Sequence, residues 1–502
     1  MENERRKTGV LLWYAAIFAF MFVWFTTIHP LAVFDGDDWT YISFARKAVP
    51  TLKEWNPAKI LPEILMPFCG SIAVHVVAPL LGDYILSFSV VSAIAVSFFI
   101  TFYIYCLGTL VKRLFDLPDF ECRCTEMLFL ILHFMVFVHD RQNNEYLFYC
   151  RDLTCYYNYL IPALINTSIV MLMAGNSNGV TDKGDYVKQS LWILVVYFAI
   201  LSNLADSFIL AIYSGITILF SAGSVVKEKN YTKTAIGTYL GSNALHLYTL
   251  ILWGVSAIFE ICGQRAASSA RLGNEFTFAE GVKQAIINLY DCRRNCHRMF
   301  FGIALLIVIV AVVLFIASRK KHEEDKVYFK MQMTWTIAAI LACFYTILLC
   351  AKVNPENIYR SEYLFGLFFY GLLILMTAFA YILKKKPQIV IIIPLALCIV
   401  SSHINTSFPT YKESNVPNIN PRVCIDISRD LVEQVVHADQ EGEDEVILHV
   451  LRYNTTDNWP HAFFLGDRMS TTLYEQGIVT KRMKIVIQPD ETMNEKYHVL
   501  IP

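Results

Sequence analysis

Long stretches of apolar side chains with almost no charge recur along most of this 502-residue chain. A helix of roughly 18 or more such residues crosses a ~30 Å hydrocarbon core, where every backbone polar group must be satisfied internally. The stretches lie at about 10–28, 84–110, 127–139, 159–174, 190–203, 207–226, 236–258, 300–318, 333–350, 362–383 and 388–402. They predict about eleven spans, of which the third and fifth are short and suit tilted or re-entrant segments. Charged residues make up only 17% of the chain and mean hydropathy is +0.44. An ordinary soluble domain is about 25% charged, so soluble, disordered and collagenous classes are excluded. The expected fold is an α-helical polytopic membrane protein.

The net charge of −1 hides an asymmetry. Residues 403–502 carry 9 Lys and Arg against 15 Asp and Glu, whereas residues 1–402 carry 33 against 28. The change falls where the apolar runs stop, which predicts a transmembrane domain, 1–402, and a soluble acidic domain, 403–502. In that tail, apolar spacing predicts a helix over 427–438 and another over 461–477, and EVILHVL (445–451) and MKIVI (483–487) read as strands. The alternation suggests a small α/β domain. With the amino terminus placed in the cytoplasm, the inner connections hold 19 Lys and Arg in 65 residues, and the outer ones 14 in 129. Basic residues favour the cytoplasmic side, so a multi-pass protein with an extracytoplasmic tail is expected. No small-residue cleavage site follows the first run, which reads as a retained helix rather than a signal peptide.

Thirteen cysteines show no zinc or redox spacing. Cys106, Cys343, Cys350 and Cys398 sit in apolar runs as small core residues, while Cys150 with Cys155, or Cys292 with Cys296, could pair in an oxidising compartment. His75, His133 and His246 fall on apolar stretches and read as packing histidines. Nothing in the sequence calls for a nucleic-acid partner.

The most informative stretch follows the first span, at residues 34–41 (FDGDDWTY). Asp35, Asp37 and Asp38 repel one another, and clustering them beside a membrane is costly without a cation or hydrogen-bond donors. Such a group suits a general base, a divalent-cation site (Mg or Mn) or a ligand for sugar hydroxyls. Its plain alternative is a solvated acidic turn. Trp39 and Tyr41 supply flat faces that could stack on a sugar. The loop continues through Trp55, Asn56 and Pro57 into a weakly amphipathic segment, 60–80, suited to lie along the interface.

An outer loop with an acidic pair and then a Tyr (DDWTYI), followed by Trp-Asn-Pro, resembles the GT-C class of integral-membrane glycosyltransferases, and most closely the bacterial glucosyltransferase-like members. The motif match covers roughly residues 34–67. The resemblance implies a polyprenyl-phosphate-linked sugar donor, a cell-surface glycan acceptor, a plasma-membrane location and a catalytic Asp37 or Asp38. A donor phosphate would need cations at the outer boundary. Arg360 is the first choice, framed by Tyr359 and Tyr363, followed by the cluster Arg293, Arg294, His297 and Arg298 before the eighth span. A headgroup-contacting basic patch is the plainer reading of that cluster.

Asp206, in the tight turn between the fifth and sixth spans, reads first as a helix cap and second as a ligand for acceptor hydroxyls. Arg151 and Asp152 suggest a local ion pair, and Tyr156, Tyr157 and Tyr159 an interfacial belt. The leading expectation is therefore an inverting, lipid-linked-sugar transferase with a first-loop Asp as base. A polysaccharide polymerase or ligase, a transporter or flippase, and a non-catalytic scaffold of envelope assembly are the competitors. A transporter would be expected to show mid-span charges and internal duplication.

Overall fold

The computed structural model describes residues 2–50, 55–135, 152–176, 186–227, 232–262, 277–293, 298–318, 322–395, 398 and 419–500. Apolar composition and length drive nearly all of the first part into helix. Nine helical segments among the described residues are long and apolar enough to cross a bilayer: Lys7–Ile28, Pro62–Leu81, Tyr84–Phe115, Leu153–Ala174, Leu204–Gly223, Ala244–Cys262, Met299–Ala317, Glu323–Val353 and Ser361–Lys385. The chain is a polytopic α-helical membrane protein.

In chain order the first helices are α1 (Glu2–Val23), α2 (Gly36–Tyr41), α3 (Pro62–Ile72), α4 (Ala78–Leu81), α5 (Tyr84–Phe115) and α6 (Asp119–Met135). There follow α7 (Leu153–Cys155), α8 (Ile161–Ala174), α9 (Tyr186–Ile200), α10 (Leu204–Lys227), α11 (Lys233–Ser242) and α12 (Ala244–Cys262). The membrane part closes with α13 (Phe278–Cys292), α14 (Arg298–Ala317), α15 (Glu323–Val353) and α16 (Ser361–Lys385). Among the described residues, two of the expected spans, α6 and α9, run for 17 and 15 residues. Of the run expected at 388–402, residues 388–395 and 398 are described, beginning with a 3-10 turn at Pro387–Ile391, and the others lie outside the described residues.

Contacts sort the helix ends onto two faces. On one face Lys384 Nζ donates to the Asp116 carbonyl (3.1 Å), Lys112 pairs with Asp119, and Lys385 lies 3.0 Å from Glu324 and 3.2 Å from Asp325. On the other, Leu61 N donates to the Leu201 carbonyl (3.2 Å), Asn203 Nδ2 to the Asn158 carbonyl (2.8 Å), and Asn288 Nδ2 to the Pro355 carbonyl (3.0 Å). Asp83 belongs to this second face, because Arg429 of the acidic tail grips it at 2.7 Å. Pro62–Leu81 therefore begins and ends on the same face. Its length and hydropathy qualify it as a span, but its anchors lay it along the boundary, with Phe68, Val76, Leu80 and Leu81 exposed.

The helix is seated by a close approach at Gly70, where a Cβ would stand 2.4 Å from the Ile42 carbonyl oxygen. Gly70→Ala is expected to push α3 off that loop and to cost about 1–3 kcal/mol, read as a lowered thermal midpoint of the purified protein. An unchanged midpoint would mean that the loop yields.

Beyond residue 418 come α17 (Pro421–Gln440), β1 (Glu445–Leu451), α18 (Leu465–Glu475), β2 (Lys484–Asp490) and α19 (Glu491–Tyr497). The two strands pair in parallel, with Val446 opposite Ile485 and Leu448 opposite Ile487. β1 is only half-buried: Val446, Leu448 and Val450 turn inward while Ile447 is exposed. The strand expected at EVILHVL is present, with its side chains alternating between buried and exposed over most of its length. Gly466 lets α18 sit directly on β2, since a Cβ there would be 2.3 Å from the Ile485 carbonyl oxygen.

The tail docks on the second face. Ser428 Oγ donates to the Val33 carbonyl (2.5 Å), Arg422 to the Thr27 carbonyl (2.7 Å), and Phe464 lies over Gly36, which has no side chain to obstruct it.

Candidate functional site

The acidic loop folds into the six-residue helix α2 because Asp35 caps it: Asp35 Oδ1 accepts from the backbone N–H of Asp37 (2.8 Å) and Asp38 (2.9 Å). Asp38 is fully buried. Its Oδ2 accepts from Phe34 N (2.9 Å), and its Oδ1 accepts from both Thr154 N and Thr154 Oγ1 (2.6 Å each). This side chain staples the first loop to the start of α7. Burial pushes its carboxyl up to about 6, against the opposing pull of the Thr154 and Phe34 hydrogen bonds. Asp35 is raised as well, by burial and by the neighbouring Asp38.

Asp37 points the other way and pairs with Arg468 of α18, which also stacks over Phe464 at 4.2 Å. Both partners are about one-third or more exposed, so Arg468→Ala is expected to cost no more than about 1 kcal/mol. A chemical-denaturation midpoint checks this, and a loss several times larger would show that the pair holds the tail in place. Trp39 is fully buried and its carbonyl accepts from Thr472 Oγ1 at 2.5 Å, so it offers no open stacking face. Tyr41 is half-buried with Lys59 over its ring at 5.7 Å.

The cationic candidates are not gathered around α2. Arg360 precedes α16 and forms an ion pair with Glu362, with its guanidinium 6.0 Å from the Tyr159 ring. Arg293 closes on Tyr290, 3.3 Å from the ring centroid, and donates to the Tyr290 carbonyl at 2.7 Å. Arg294, His297, Cys150, Cys296 and Arg151 lie outside the described residues, and of Arg298 only the backbone is described. His133 bonds Tyr103 (3.2 Å) and His246 bonds Ser214 (3.1 Å), as packing histidines do.

A second constellation lies at the same face, at the start of α10. The cap here is Asn203, whose Oδ1 accepts from Ala205 N at 2.9 Å, not Asp206 as expected. Asp206 is left fully buried, and neither of its carboxylate oxygens has a hydrogen-bond partner. The Oγ of Ser207 is likewise buried without a partner. Close packing of α10 on α16 sets this geometry: a Cβ on Gly366 would meet Phe208 at 2.4 Å, and Tyr370 Oη donates to the Ile209 carbonyl at 2.6 Å. It brings buried Glu362 within electrostatic reach of Asp206. Tyr345 of α15 completes the wall, stacked on Phe208 at 4.4 Å and donating to the Leu204 carbonyl at 3.2 Å.

Other carboxylates in the membrane part are treated differently. Glu126 accepts from Trp13 Nε1 (2.6 Å) and Tyr14 Oη (2.7 Å). Asp325 accepts from Tyr381 Oη (2.6 Å), Ser318 Oγ (2.8 Å) and His322 N (2.8 Å). Sequence reasoning named Asp206 but missed Glu362, Thr154 and Arg468. An acidic residue opening an apolar run, as Glu362 does, was the one available signal. Among the described residues no group of three or more His, Cys, Asp or Glu could hold a metal ion.

Residues 184–354 match the model of the sodium/calcium exchanger protein family, about a third of the chain, running from α9 to the end of α15. No curated protein and no solved structure matches the chain. The family match overturns the GT-C resemblance. An exchanger moves ions and makes no glycosidic bond, so the enzyme assignment, the polyprenyl-phosphate sugar donor, the glycan acceptor and the role of Asp37 or Asp38 as catalytic base fall together. The contacts give those side chains other work: Asp35 caps, Asp37 pairs with Arg468, and Asp38 is saturated by three donors.

Proposed function

We propose that this chain is a membrane transporter of small cations, with Asp206 as the residue that holds the cargo. The observation that carries the reading is the partnerless, fully buried carboxylate of Asp206 inside the exchanger-matched segment. A buried charge with no counter-charge or hydrogen bond costs several kcal/mol, and such residues in spans mark ion pathways. A cation arriving at Asp206 offsets the cost of ionising that carboxyl, an offset lost again on its departure, so the occupied and empty forms differ in energy. The family name points to Na+ and Ca2+ as the ions to try first.

In this reading residues 1–402 form the transport unit in a plasma membrane, with the amino terminus and the Lys384–Lys386 face cytoplasmic. Residues 403–502 form an outer α/β domain that roofs the first loop.

The test is isotope flux into liposomes containing the full chain. An outward gradient of unlabelled cation should drive uptake of 22Na+ or 45Ca2+ above that of protein-free vesicles. Uptake of both ions equal to empty vesicles would overturn the proposal.

A further inference from the structure

We infer, building on the transport reading above, that Asn203 is the positioning residue of the cargo site: by capping α10 it keeps the Asp206 carboxylate disengaged and ready for an incoming cation. Asn203 touches no cargo and acts through Asp206.

The first turn of any helix carries backbone N–H groups that need acceptors from outside the helix. Asp206 lies in the first turn of α10, three positions after Asn203. From that place a carboxylate can turn back on the helix start and close a capping box. It does not do so here, since both of its oxygens are buried without a hydrogen-bond partner. Asn203 serves the helix start instead. Its Oδ1 accepts from Ala205 N at 2.9 Å, and its carbonyl accepts from Asp206 N at 3.2 Å and Ser207 N at 2.8 Å. Had the carboxylate taken the cap, a cation would first have to displace a backbone donor from it, and hydrogen bonds to charged groups are the stronger ones.

The capping amide is itself held in one orientation. Asn203 Nδ2 donates to the Asn158 carbonyl at 2.8 Å, which leaves Oδ1 directed at Ala205 N. Asn158 is fixed in turn, its Nδ2 donating to the carbonyl of Thr154, the residue that binds Asp38. The preceding residues are fastened as well. Asn166 Nδ2 donates to the Ala199 carbonyl at 2.8 Å and to Ser202 Oγ at 3.4 Å, and Leu61 N donates to the Leu201 carbonyl at 3.2 Å. Residues 199–203 are thus tied to α8 and to the first loop. At 203 the side chain must accept from an N–H and donate to a carbonyl at once, which an amide does and a carboxylate does not.

The experiment is the concentration dependence of 22Na+ and 45Ca2+ flux into liposomes holding the full chain. Asn203→Ala leaves Ala205 N without its acceptor and recruits the Asp206 carboxylate in its place. The apparent KM should rise at least about tenfold, with maximal flux per folded protein within about twofold of wild type. Asn203→Ser keeps a capping oxygen and should bring the apparent KM back to within about threefold of wild type. If Asn203→Ala does not fold, Asn203→Gly carries the same expectation, since Gly is tolerated at a cap but supplies no acceptor. A merely structural role would lower the amount of active protein and leave KM where it was. Asp206-dependent flux with a wild-type KM in a folded Ala or Gly variant would overturn this inference and leave cation transport standing. Equal impairment of the Ala and Ser variants would do the same. Wild-type flux of both ions no greater than in empty vesicles would overturn the transport reading and this inference with it.

Discussion

Asp206→Asn is expected to abolish cation flux while leaving the protein at least as stable as wild type. The amide keeps the shape of the side chain but removes the charge that would hold the cargo. Removing one member of a buried ionic interaction costs about 3 kcal/mol or more, so flux at subsaturating cation should fall by more than about a hundredfold. Stability should move the other way. In the cation-free protein both Asp206 oxygens are buried without partners, so a neutral amide of the same volume replaces the carboxyl at little cost and removes the expense of ionising it. The thermal midpoint measured without added Na+ or Ca2+ should therefore hold or rise. A variant that loses flux only because it unfolds would show that Asp206 has a structural role. A variant with wild-type flux would remove it from the pathway.

Asp38 should behave in the opposite sense. Asp38→Ala strands three donors, Phe34 N, Thr154 N and Thr154 Oγ1, in a site closed to water. Each unsatisfied buried group costs about 1–3 kcal/mol, so the loss should be at least about 3 kcal/mol and visible as a large drop in midpoint. The same residue predicts a pH response. Burial pushes its folded-state carboxyl up to about 6, above the unfolded value of about 3.9. A raised folded value means that its contribution to stability is fully present below about pH 4 and is lost as pH rises through about 6. Wild-type midpoints should therefore increase between pH 7 and pH 5, and this increase should shrink in Asp38→Asn. Asp35 is raised by the same burial and adds in the same direction. The carboxyls of Asp439, Asp444 and Asp490 are lowered by hydrogen bonds and nearby cations, so their opposing effect belongs to pH below about 4. A midpoint that falls on acidification from pH 7 to pH 5 would contradict the assignment.

These contrasting carboxylates show what the sequence discloses and what it withholds. Apolar run length locates the helices because the bilayer leaves the backbone few alternatives. Short apolar runs locate both tail strands, and helical spacing finds α17 and α18, although α17 starts six residues before the expected 427. The loop at 34–41 stands out for its density of charge beside a membrane, and the structure makes it a junction of first loop, α7 and tail. What spacing cannot convey is the partner of each carboxylate. Thr154 lies 116 positions from Asp38, and Arg468 lies 431 from Asp37. Local reasoning therefore treated the cluster as free to do chemistry, although its members were already engaged.

The error at Asp206 runs the other way. A turn reading SNLAD offers three possible caps, Ser202, Asn203 and Asp206, and spacing alone favours none of them. Once Asn203 takes the cap, Asp206 becomes the unsatisfied group. Glu362 joins it only through the packing of α10 on α16. A transporter was expected to carry its charges at mid-span. Here the charges sit at helix ends, yet they are buried within the bundle.

The central claim is that the cargo ion sits on the oxygens of Asp206. The most direct measurement is a map of the full chain prepared in a thallium(I) salt, since Tl+ is an electron-dense stand-in for an alkali cation. The account predicts a strong peak in direct contact with Asp206 Oδ1 or Oδ2, and its absence from a map of Asp206→Asn prepared in the same way. A map in which those oxygens meet only protein hydrogen-bond donors, with the thallium bound elsewhere or nowhere, would contradict it.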